Sequence, residues 1–338
     1  MSMKPRKKNI VVIGGGTGSY TVLSGLKKYP VNLTAIVSMA DDGGSTRVLR
    51  EEFGVLPPGS VRPAMVALSS QEETLAKLFS FRFSQGTLAG HNFGNLFLVA
   101  LTKQLGSFEE AVERAAELLH LKGEVVPSTL QKITLYAKLE NNAVIKGEAN
   151  IDVPKHNGNL RIKKVWLEPK AKANPRALKA IRQADLIVIG PGDLYTSIIP
   201  NFLVQGIGRA VEKSKAKKVY VCNIMTKFGE TTGFCAKDFV DVLERYLGKD
   251  VFDYIVVNIK RPDSKRIKEY GHTRARFVEY SPEDSAKAHF SVLAGDFVRK
   301  AGFIRHDSDK LAKLLFSLVA SKKQKGHPYA QCIRIPLE

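Results

Sequence analysis

The sequence predicts an α/β fold of the Rossmann-like, doubly wound kind, with a mostly parallel sheet and a small antiparallel β insert. Three patterns lead to this prediction. Short runs rich in β-branched residues alternate with amphipathic helical segments along most of the 338 residues. Two of these runs end in glycine-rich turns, at residues 14–18 and 190–192. Between the two turns, short segments of alternating apolar and polar residues are separated by Asn and Gly, as in antiparallel strands.

The first elements follow from the N-terminal residues. The run NIVVI at residues 9–13 predicts a strand, because it is β-branched and stops at three glycines. Residues 17–28 then have helical spacing with lysines in the last turn, and residues 33–39 form a second apolar run. Strand, glycine turn, helix and strand in this order are the opening unit of a doubly wound sheet.

The remaining elements are predicted in the same way. Residues 51–63 are rich in Gly and Pro, so a loop is expected there. Periodicity, capping residues and apolar runs predict helices at residues 72–83, 94–105, 107–119, 175–183, 202–213, 234–246 and 307–321, and strands at residues 185–189, 218–222 and 252–257.

Length and pattern together predict one ligand-binding domain with an inserted lobe. The Rossmann-like α/β domain comprises residues 9–122 and 170–321. A β-rich lobe at residues 123–169 interrupts it, and basic tails at residues 1–8 and 322–338 flank it.

The charge points to a polyanionic partner. The chain has 52 Lys and Arg against 33 Asp and Glu, a net charge of +19. Lysine clusters at residues 163–164, 213–218 and 322–325 are expected on solvated faces, and no recognised nucleic-acid motif occurs, so no specific nucleic-acid partner is expected. Three cysteines without a C-x-x-C pair argue against a disulfide scaffold. No apolar run approaches the roughly 20 residues that span a bilayer, so we expect a cytoplasmic protein without membrane insertion.

The first candidate binding loop consists of Gly14, Gly15, Gly16, Thr17 and Gly18. Glycines let backbone N–H groups approach a phosphate closely, and the helix that follows presents its positive end to the anion. The sixth position of the dinucleotide fingerprint holds serine here, and a purely structural tight turn is the alternative.

The second candidate loop begins with Asp41 and Asp42, just past the end of the second predicted strand. An acidic residue at this spacing contacts a ribose in dinucleotide-binding folds. Two adjacent carboxylates beside phosphates also suit Mg²⁺, which makes this pair the candidate metal site. Arg47 and Arg62 add guanidinium groups that can clamp phosphate. A turn capped by aspartate is the alternative.

Two further loops complete the candidate site. His91, Asn92 and Asn95 open a predicted helix and serve either substrate contact or capping. The other loop follows a buried strand, and its polar residues are expected to face the same crevice, since strand carboxyl ends line the ligand site of an open α/β sheet. These residues are Gly190, Gly192, Tyr195, Thr196 and Ser197, joined after the next strand by Asn223.

No catalytic residue is assigned. The seven histidines have no metal-ligand spacing, and the serines lie in no nucleophile-elbow context. A nicotinamide dehydrogenase is a further reading of the first βαβ unit, but no obvious His–acid pair for hydride transfer accompanies it.

Several blocks resemble one known family. They include VVIGGGTGSYTVLSGLK, TAIVSMADDGGSTRVLREEFGVLPPG, GHNFGNLFLVALT, DLIVIGPGDLYTSIIPNFLV and KVYVCNIMTKFGET, in family order over nearly the whole chain. The sequence is similar to the gluconeogenesis factor family, the YvcK-like branch of the superfamily named for CofD, the 2-phospho-L-lactate transferase.

The resemblance implies a cytosolic protein that binds a nucleotide sugar of the UDP-N-acetylglucosamine type. It implies a role in cell shape, envelope precursors and carbon-metabolism regulation, without established catalytic activity. Thr17, Tyr270 and Arg305 match positions associated with the ligand. The alternative is a CofD-like, Mg²⁺-dependent transferase that uses a nucleoside-diphosphate-linked phospho-acid. A homodimer is compatible with either.

The chain departs from the family pattern inside its ligand loops. It has Ser60 where the family commonly has an acid, Asp193 where serine is usual, and Asn92 where serine is usual. The missing acid at Ser60 weakens the transferase reading, since that reaction depends on metal–phosphate chemistry.

Overall fold

The strands of the computed structural model fall into two sheets. Residues 6–70, 73–285, 288–320 and 332–334 are described. The strands are β1 (Lys8–Gly14), β2 (Val31–Val37), β3 (Glu124–Pro127), β4 (Thr134–Leu139), β5 (Val144–Lys146), β6 (Ile162–Glu168), β7 (Leu186–Ile189), β8 (Lys217–Val221), β9 (Tyr254–Asn258), β10 (Ser291–Gly295) and β11 (Cys332–Arg334).

Helices cover both faces of the larger sheet, as expected for strands joined by helical crossovers. They are α1 (Gly16–Leu26), α2 (Gly44–Phe53), α3 (Pro58–Leu68), α4 (Glu73–Ser80), α5 (Phe93–Leu105), α6 (Phe108–Leu118), α7 (Glu148–Asp152), α8 (Pro175–Gln183), α9 (Ile199–Leu203), α10 (Ile207–Lys213), α11 (Ala236–Leu247), α12 (Ser264–Glu269) and α13 (Ser308–Ala320). Within the described ranges, no helix combines the length and apolar character needed to cross a bilayer.

The larger sheet is parallel and doubly wound, as predicted. Its eight described strands run in the order β3-β2-β1-β7-β8-β9-β10-β11. β1 pairs with β2 through Val11 and Thr34 and with β7 through Ile10 and Leu186, both in parallel register. The order therefore reverses between β1 and β7, and ligands of such sheets bind at the carboxyl ends of the strands at this point.

The inserted lobe is a three-stranded antiparallel sheet in the order β5-β4-β6. Tyr136 and Trp166 stack across it with ring centroids 5.5 Å apart. The predicted insert starts at residue 123, but β3 lies within that segment and joins the large sheet, with Val125 opposite Ala35. The antiparallel part therefore begins at Thr134, because the first apolar run after Gly123 extends the parallel sheet instead.

The loop predicted at residues 51–63 is largely helical. α2 continues to Phe53, and α3 starts at Pro58. Proline is compatible with the first turn of a helix, where its missing N–H has no partner to lose. Pro63 lies inside α3, whose face is buried through residues such as Val61 and Met65. Tertiary packing therefore overrides the low helix propensity of this segment.

Two lysines of the predicted solvated cluster at residues 213–218 are buried. Lys217 and Lys218 lie in β8 and are 6% and 7% exposed. The Lys217 ammonium donates to the Leu318 carbonyl at 2.7 Å, and the Lys218 ammonium donates to the Ser214 carbonyl at 2.8 Å. The aliphatic part of a lysine side chain can be buried in the core while its ammonium forms a hydrogen bond with an oxygen at the edge of the core. The cluster at residues 322–325 lies outside the described residues.

α1 and α13 pack closely enough to require glycine at their crossing. A Cβ atom on Gly25 would lie 2.1 Å from the Ser308 carbonyl oxygen and 2.8 Å from the Ala312 Cβ. α13 begins at Ser308, two residues after His306. The crossing in the last turn of α1 therefore anchors the segment of Arg305 and His306 against this helix.

We expect Gly25→Ala to destabilise the protein. Alanine favours a helix by about 1 kcal/mol over glycine, but a backbone clash of this size costs more, so we expect a net loss of about 1–3 kcal/mol. Urea unfolding of the variant and the wild type measures this difference in the free energy of unfolding. Gly271→Ala is the control, because no heavy atom of another element lies within 4 Å of its Cβ position. Equal stability of the two variants would contradict the packing argument.

Candidate functional site

A small cavity of about 170 Å³ lies at the carboxyl ends of β1, β7 and β8. We call it the glycine cavity. It brings together the predicted residues Gly15, Gly16, Gly18, Gly192, Ser197, Asn223 and Arg305. It is completed by residues that the sequence did not indicate, namely Thr21, Pro191, Asp193, Ile224, Met225, Ile304 and His306.

Two glycine turns face each other across this cavity. A Cβ on Gly18 would lie 2.0 Å from the Pro191 carbonyl oxygen, so the turn after β1 touches the turn after β7 backbone to backbone. A Cβ on Gly15 would lie 3.5 Å from that of Ser197. Gly16 has a φ of +59°, which glycine adopts without strain. The walls are therefore bare backbone at the start of a helix, the arrangement that favours phosphate.

A third loop is fixed to the second turn by an amide pair. The Gly192 N–H donates to the Asn223 Oδ1 at 3.1 Å, and the Asn223 Nδ2 donates to the Gly192 carbonyl at 2.9 Å. Asn223 follows β8, and this reciprocal pair holds the loops after β7 and β8 in one orientation. The prediction that Asn223 faces the crevice agrees with its position.

Arg305 and His306 form the remaining wall. The Arg305 guanidinium lies 5.4 Å from the centre of the Phe303 ring and makes no ion pair with any described residue. His306 is 5% exposed, and its Nε2 has no hydrogen-bond partner among the described residues. Burial lowers the pKa of His306 to about 4, so the imidazole is neutral at pH 7.

Tyr270 supports this wall from behind. Its hydroxyl accepts a hydrogen bond from the Ile304 N–H at 2.9 Å, and its ring packs edge-on against Phe303. Tyr270 does not itself line the glycine cavity. In this structure it positions the segment that carries Arg305.

A second cavity of about 460 Å³ adjoins the glycine cavity and shares Thr21, Arg305 and His306 with it. Tyr20 and Arg299 are among its other lining residues. We call it the side cavity. The shared residues place the two cavities next to each other beside α1.

Tyr195 and Thr196, predicted to face the ligand, point into the core instead. Tyr195 is 2% exposed and Thr196 is 3% exposed. The Glu230 carboxylate accepts hydrogen bonds from the Tyr195 N–H at 2.9 Å and the Thr196 hydroxyl at 2.8 Å. The Tyr195 hydroxyl donates to the Ile162 carbonyl of the inserted lobe at 3.3 Å. Their polar groups thus hold the turn in place from beneath.

Lys227 joins three carboxylates below this turn. Its ammonium contacts Asp152 closely, Asp193 at 2.9 Å and Glu230 at 3.5 Å. Burial and the repulsion of Asp193 raise the pKa of the Glu230 carboxyl, and Lys227 opposes this shift. The three carboxylate oxygens lie within 4.8 Å of one another and could share a metal ion, but the ammonium already compensates their charge.

The acidic pair after β2 lies outside the glycine cavity. Asp41 accepts from the Gly43 N–H at 3.0 Å and the Thr46 hydroxyl at 2.9 Å, and burial raises its pKa. Asp42 accepts from the Ala149 N–H at 2.8 Å, which connects α7 of the inserted lobe to the sheet. Each carboxylate keeps lone pairs that these contacts do not use.

Glu148 is a site residue that sequence reasoning missed. Its carboxyl has no hydrogen bond or ion pair among the described residues, and burial raises its pKa to about 9, with repulsion from Asp41, Asp152 and Asp42 adding to the shift. We call Asp41, Asp42 and Glu148 the acidic group. No motif marks Glu148, because a turn of the inserted lobe brings it to the sheet.

The loop of His91, Asn92 and Asn95 serves mainly as a cap. The Asn92 side chain accepts from the Asn95 N–H at 3.3 Å at the start of α5 and donates to the Phe81 carbonyl. Arg62 donates to the Asn95 Oδ1 at 3.1 Å. His91 Nδ1 lies 3.2 Å from the Ser45 hydroxyl. None of these predicted residues lines the glycine cavity.

The other predicted residues divide into two groups. Gly14 and Gly190 form the backbone beneath the two turns, where a Cβ on Gly14 would lie 2.6 Å from the Ser19 hydroxyl. Arg47 lines a separate cavity, together with Asp42. The side chain of Thr17 lies outside what the structure describes.

We expect Glu148→Gln to change how stability depends on pH. The folded protein keeps a proton on Glu148 that the unfolded chain releases above pH 4.5, so wild-type stability falls as pH rises from about 4.5 towards 9. Glutamine removes this loss. Between pH 5 and pH 8, the free energy of unfolding of the variant should therefore rise relative to that of the wild type by roughly 1–3 kcal/mol. Urea titrations at both pH values test it; a constant difference would contradict the pKa shift.

Comparison with known proteins places the chain in a family. The family model of 2-phospho-L-lactate transferase CofD matches residues 10–298.

A relative from Thermoanaerobacterium thermosulfurigenes is 46% identical over 312 residues, covering 92% of this chain and 96% of the relative. The gluconeogenesis factor of Bacillus subtilis is 42% identical over 322 residues, 94% of this chain and 99% of that protein. A Bacillus halodurans protein of the UPF0052 family has a crystal structure with a TM-score of 0.88 at 38% identity, covering 93% of this chain and 100% of that chain. The chain, with its two facing glycine turns, therefore belongs to the CofD family.

Proposed function

We propose that the glycine cavity binds the diphosphate of a nucleotide sugar of the UDP-N-acetylglucosamine type. The observation that carries the proposal is the pair of facing glycine turns beside Arg305, which makes no ion pair with any described residue. Backbone N–H groups and the Arg305 guanidinium are the donors that a diphosphate requires. Asp193 is the one acid in the cavity lining, and Lys227 at 2.9 Å offsets its charge.

The sizes of the two cavities support a ligand larger than a phosphate. Pockets for drug-sized ligands hold about 300–1,000 Å³. The glycine cavity, at about 170 Å³, has room for the diphosphate alone, whereas the side cavity adds about 460 Å³. The nucleoside or the sugar would then lie along α1 beside Tyr20 and Arg299, with the diphosphate at the junction formed by Arg305.

His306 would provide neutral recognition at that junction. A neutral imidazole presents one donor and one acceptor, which suits a hydroxyl or an amide of the ligand. His306 lines the glycine cavity, and its buried Nε2 has no partner among the described residues. Leaving such a group unsatisfied costs free energy, so a ligand that bonds to it gains affinity.

We propose a regulatory role for this binding. The relatives named gluconeogenesis factors indicate a link to carbon metabolism. A nucleotide sugar of this type feeds envelope synthesis, so its occupancy of the site would report precursor supply and influence cell shape. The proposal assigns no catalytic residue.

Calorimetry with UDP-N-acetylglucosamine tests the ligand. We expect saturable binding that Arg305→Ala weakens about tenfold or more, since a hydrogen bond to a charged group contributes about 1.5–3 kcal/mol. Arg114→Ala on α6 is the control, because this exposed arginine pairs with Glu117 away from both cavities. Absence of binding at millimolar ligand, or an equal loss in the control, would refute the proposal.

A second candidate function is a Mg²⁺-dependent transfer from a nucleoside-diphosphate-linked phospho-acid, since the matching family model is that of a 2-phospho-L-lactate transferase. The acidic group supports it. Asp41, Asp42 and Glu148 supply carboxylate oxygens, the donors that Mg²⁺ prefers. Mg²⁺ held there would neutralise phosphate charge. Burial is the main cause of the raised pKa values of Asp41 and Glu148, and repulsion between neighbouring carboxylates adds to both shifts.

A thermal shift experiment with Mg²⁺ tests this candidate. At tenfold excess over its Kd, a bound ion stabilises by about 1.4 kcal/mol, or about 2–4 °C in Tm for a chain of this size. Asp42→Asn should remove the shift, because it removes an available carboxylate. Asp241→Asn, at an exposed ion pair on α11, should keep it. A shift of equal size in Asp42→Asn and wild type would place the ion elsewhere.

A further inference from the structure

A third cavity, strongly basic and about 620 Å³ in volume, lies between α2 and the inserted lobe. We call it the basic cavity. Five cationic side chains line it, namely Arg47, Arg50, Lys132, Lys146 and Lys155, against two acids, Asp42 and Glu51. It shares no lining residue with the glycine cavity.

Most of these cations have no hydrogen-bond or ion-pair partner among the described residues. Arg50 is engaged, since its guanidinium donates to the Asp41 carbonyl at 2.7 Å and the Ile133 carbonyl at 2.8 Å. Arg47, Lys132 and Lys155 make no side-chain hydrogen bond or ion pair within the described part of the chain. The one contact described for the Lys146 ammonium is with the face of the Tyr136 ring, whose centre lies 6.0 Å from Nζ.

Elsewhere the fold surrounds single half-buried cations with carboxylates. Lys227 contacts three carboxylates, and the Arg176 guanidinium contacts those of Glu109, Glu113 and Glu124. In the basic cavity, the Asp42 carboxylate already accepts from the Ala149 N–H. Among the described residues that line this concave space, five cations therefore face only two acids, and a bound polyanion would balance the excess positive charge.

We propose that the basic cavity binds a small organic molecule that carries at least two phosphate groups. The volume lies within the range of small-molecule sites. Four uncompensated cations match the charge of a diphosphate or triphosphate better than that of one phosphate group. Val55 and the exposed Val153 line the same space and offer contact to an apolar part of the molecule.

The site is independent of the proposed nucleotide-sugar site. Arg305, which serves the glycine cavity, does not line the basic cavity. Asp42 of the acidic group lines the basic cavity, and the acidic group therefore borders it. A ligand here would lie across the inserted lobe and α2, and its binding would be measurable whether or not a nucleotide sugar binds.

Lysine footprinting with inorganic tripolyphosphate as the probe locates the site. The protein is acetylated briefly with and without the probe, and the modified lysines are measured by mass spectrometry. We expect slower acetylation of Lys132 and Lys155 on addition of tripolyphosphate. Lys163 and Lys164, exposed on β6 of the same lobe, are the internal controls and should be unaffected. Uniform slowing of all four, or none, would overturn the proposal.

Charge reversal provides the second measurement. The double variant Lys132→Glu/Lys155→Glu should weaken tripolyphosphate binding about tenfold or more in calorimetry. Lys163→Glu/Lys164→Glu changes the net charge equally and should alter affinity less than about twofold. Circular dichroism checks the fold of both. If Arg305→Ala instead abolishes binding, or only a long nucleic acid binds, the basic cavity is not the phosphate site.

Discussion

The contact between two backbone turns sets the geometry of the whole ligand edge. Gly18 at the start of α1 and Pro191 after β7 approach so closely that the position of a Cβ would fall 2.0 Å from a carbonyl oxygen. This contact is possible only because β1 and β7 are neighbours at the point where the strand order reverses. It exposes backbone N–H groups to a shared space. Main chain therefore forms one wall of the site, and the side chains of Arg305 and His306 form another.

Buried charge then connects the inserted lobe to that edge. The Glu230 carboxylate accepts a hydrogen bond from the Tyr195 N–H and so holds that turn. Lys227 forms ion pairs with both Glu230 and Asp152, which lies at the end of α7. Removing one partner of such a buried pair is far more costly than the pair itself is stabilising, because the other charge stays desolvated. The lobe is thus not a passive insertion. Its position and that of the ligand turn depend on the same ionic contacts.

The sequence was sufficient for the sheet and for the glycine turns, because strand periodicity and glycine patterns are local signals. The sequence was insufficient where residues far apart in the chain determine the local structure or the contacts of a side chain. α3 forms at a proline-rich segment because packing buries one face, and β3 joins the parallel sheet despite its place beside the insert. Tyr195 and Thr196 were expected to contact the ligand. Glu230, 35 residues after Tyr195, instead accepts hydrogen bonds from the Tyr195 N–H and the Thr196 hydroxyl. Glu148 and His306 carried no motif, since only tertiary structure buries them near the site.

The net charge of +19 acquires a different meaning once the cations are located. Lys217, Lys218 and Lys227 are buried or half-buried and contact oxygens of the protein itself, so they add to the net charge without being available to a partner. Arg305 and four cations of the basic cavity, by contrast, line concave spaces and make no ion pair with any described residue. A nucleic-acid surface would require a continuous basic stripe along the molecule. Cations grouped in separate concave spaces, with an acidic group bordering one of them, fit small phosphorylated ligands instead.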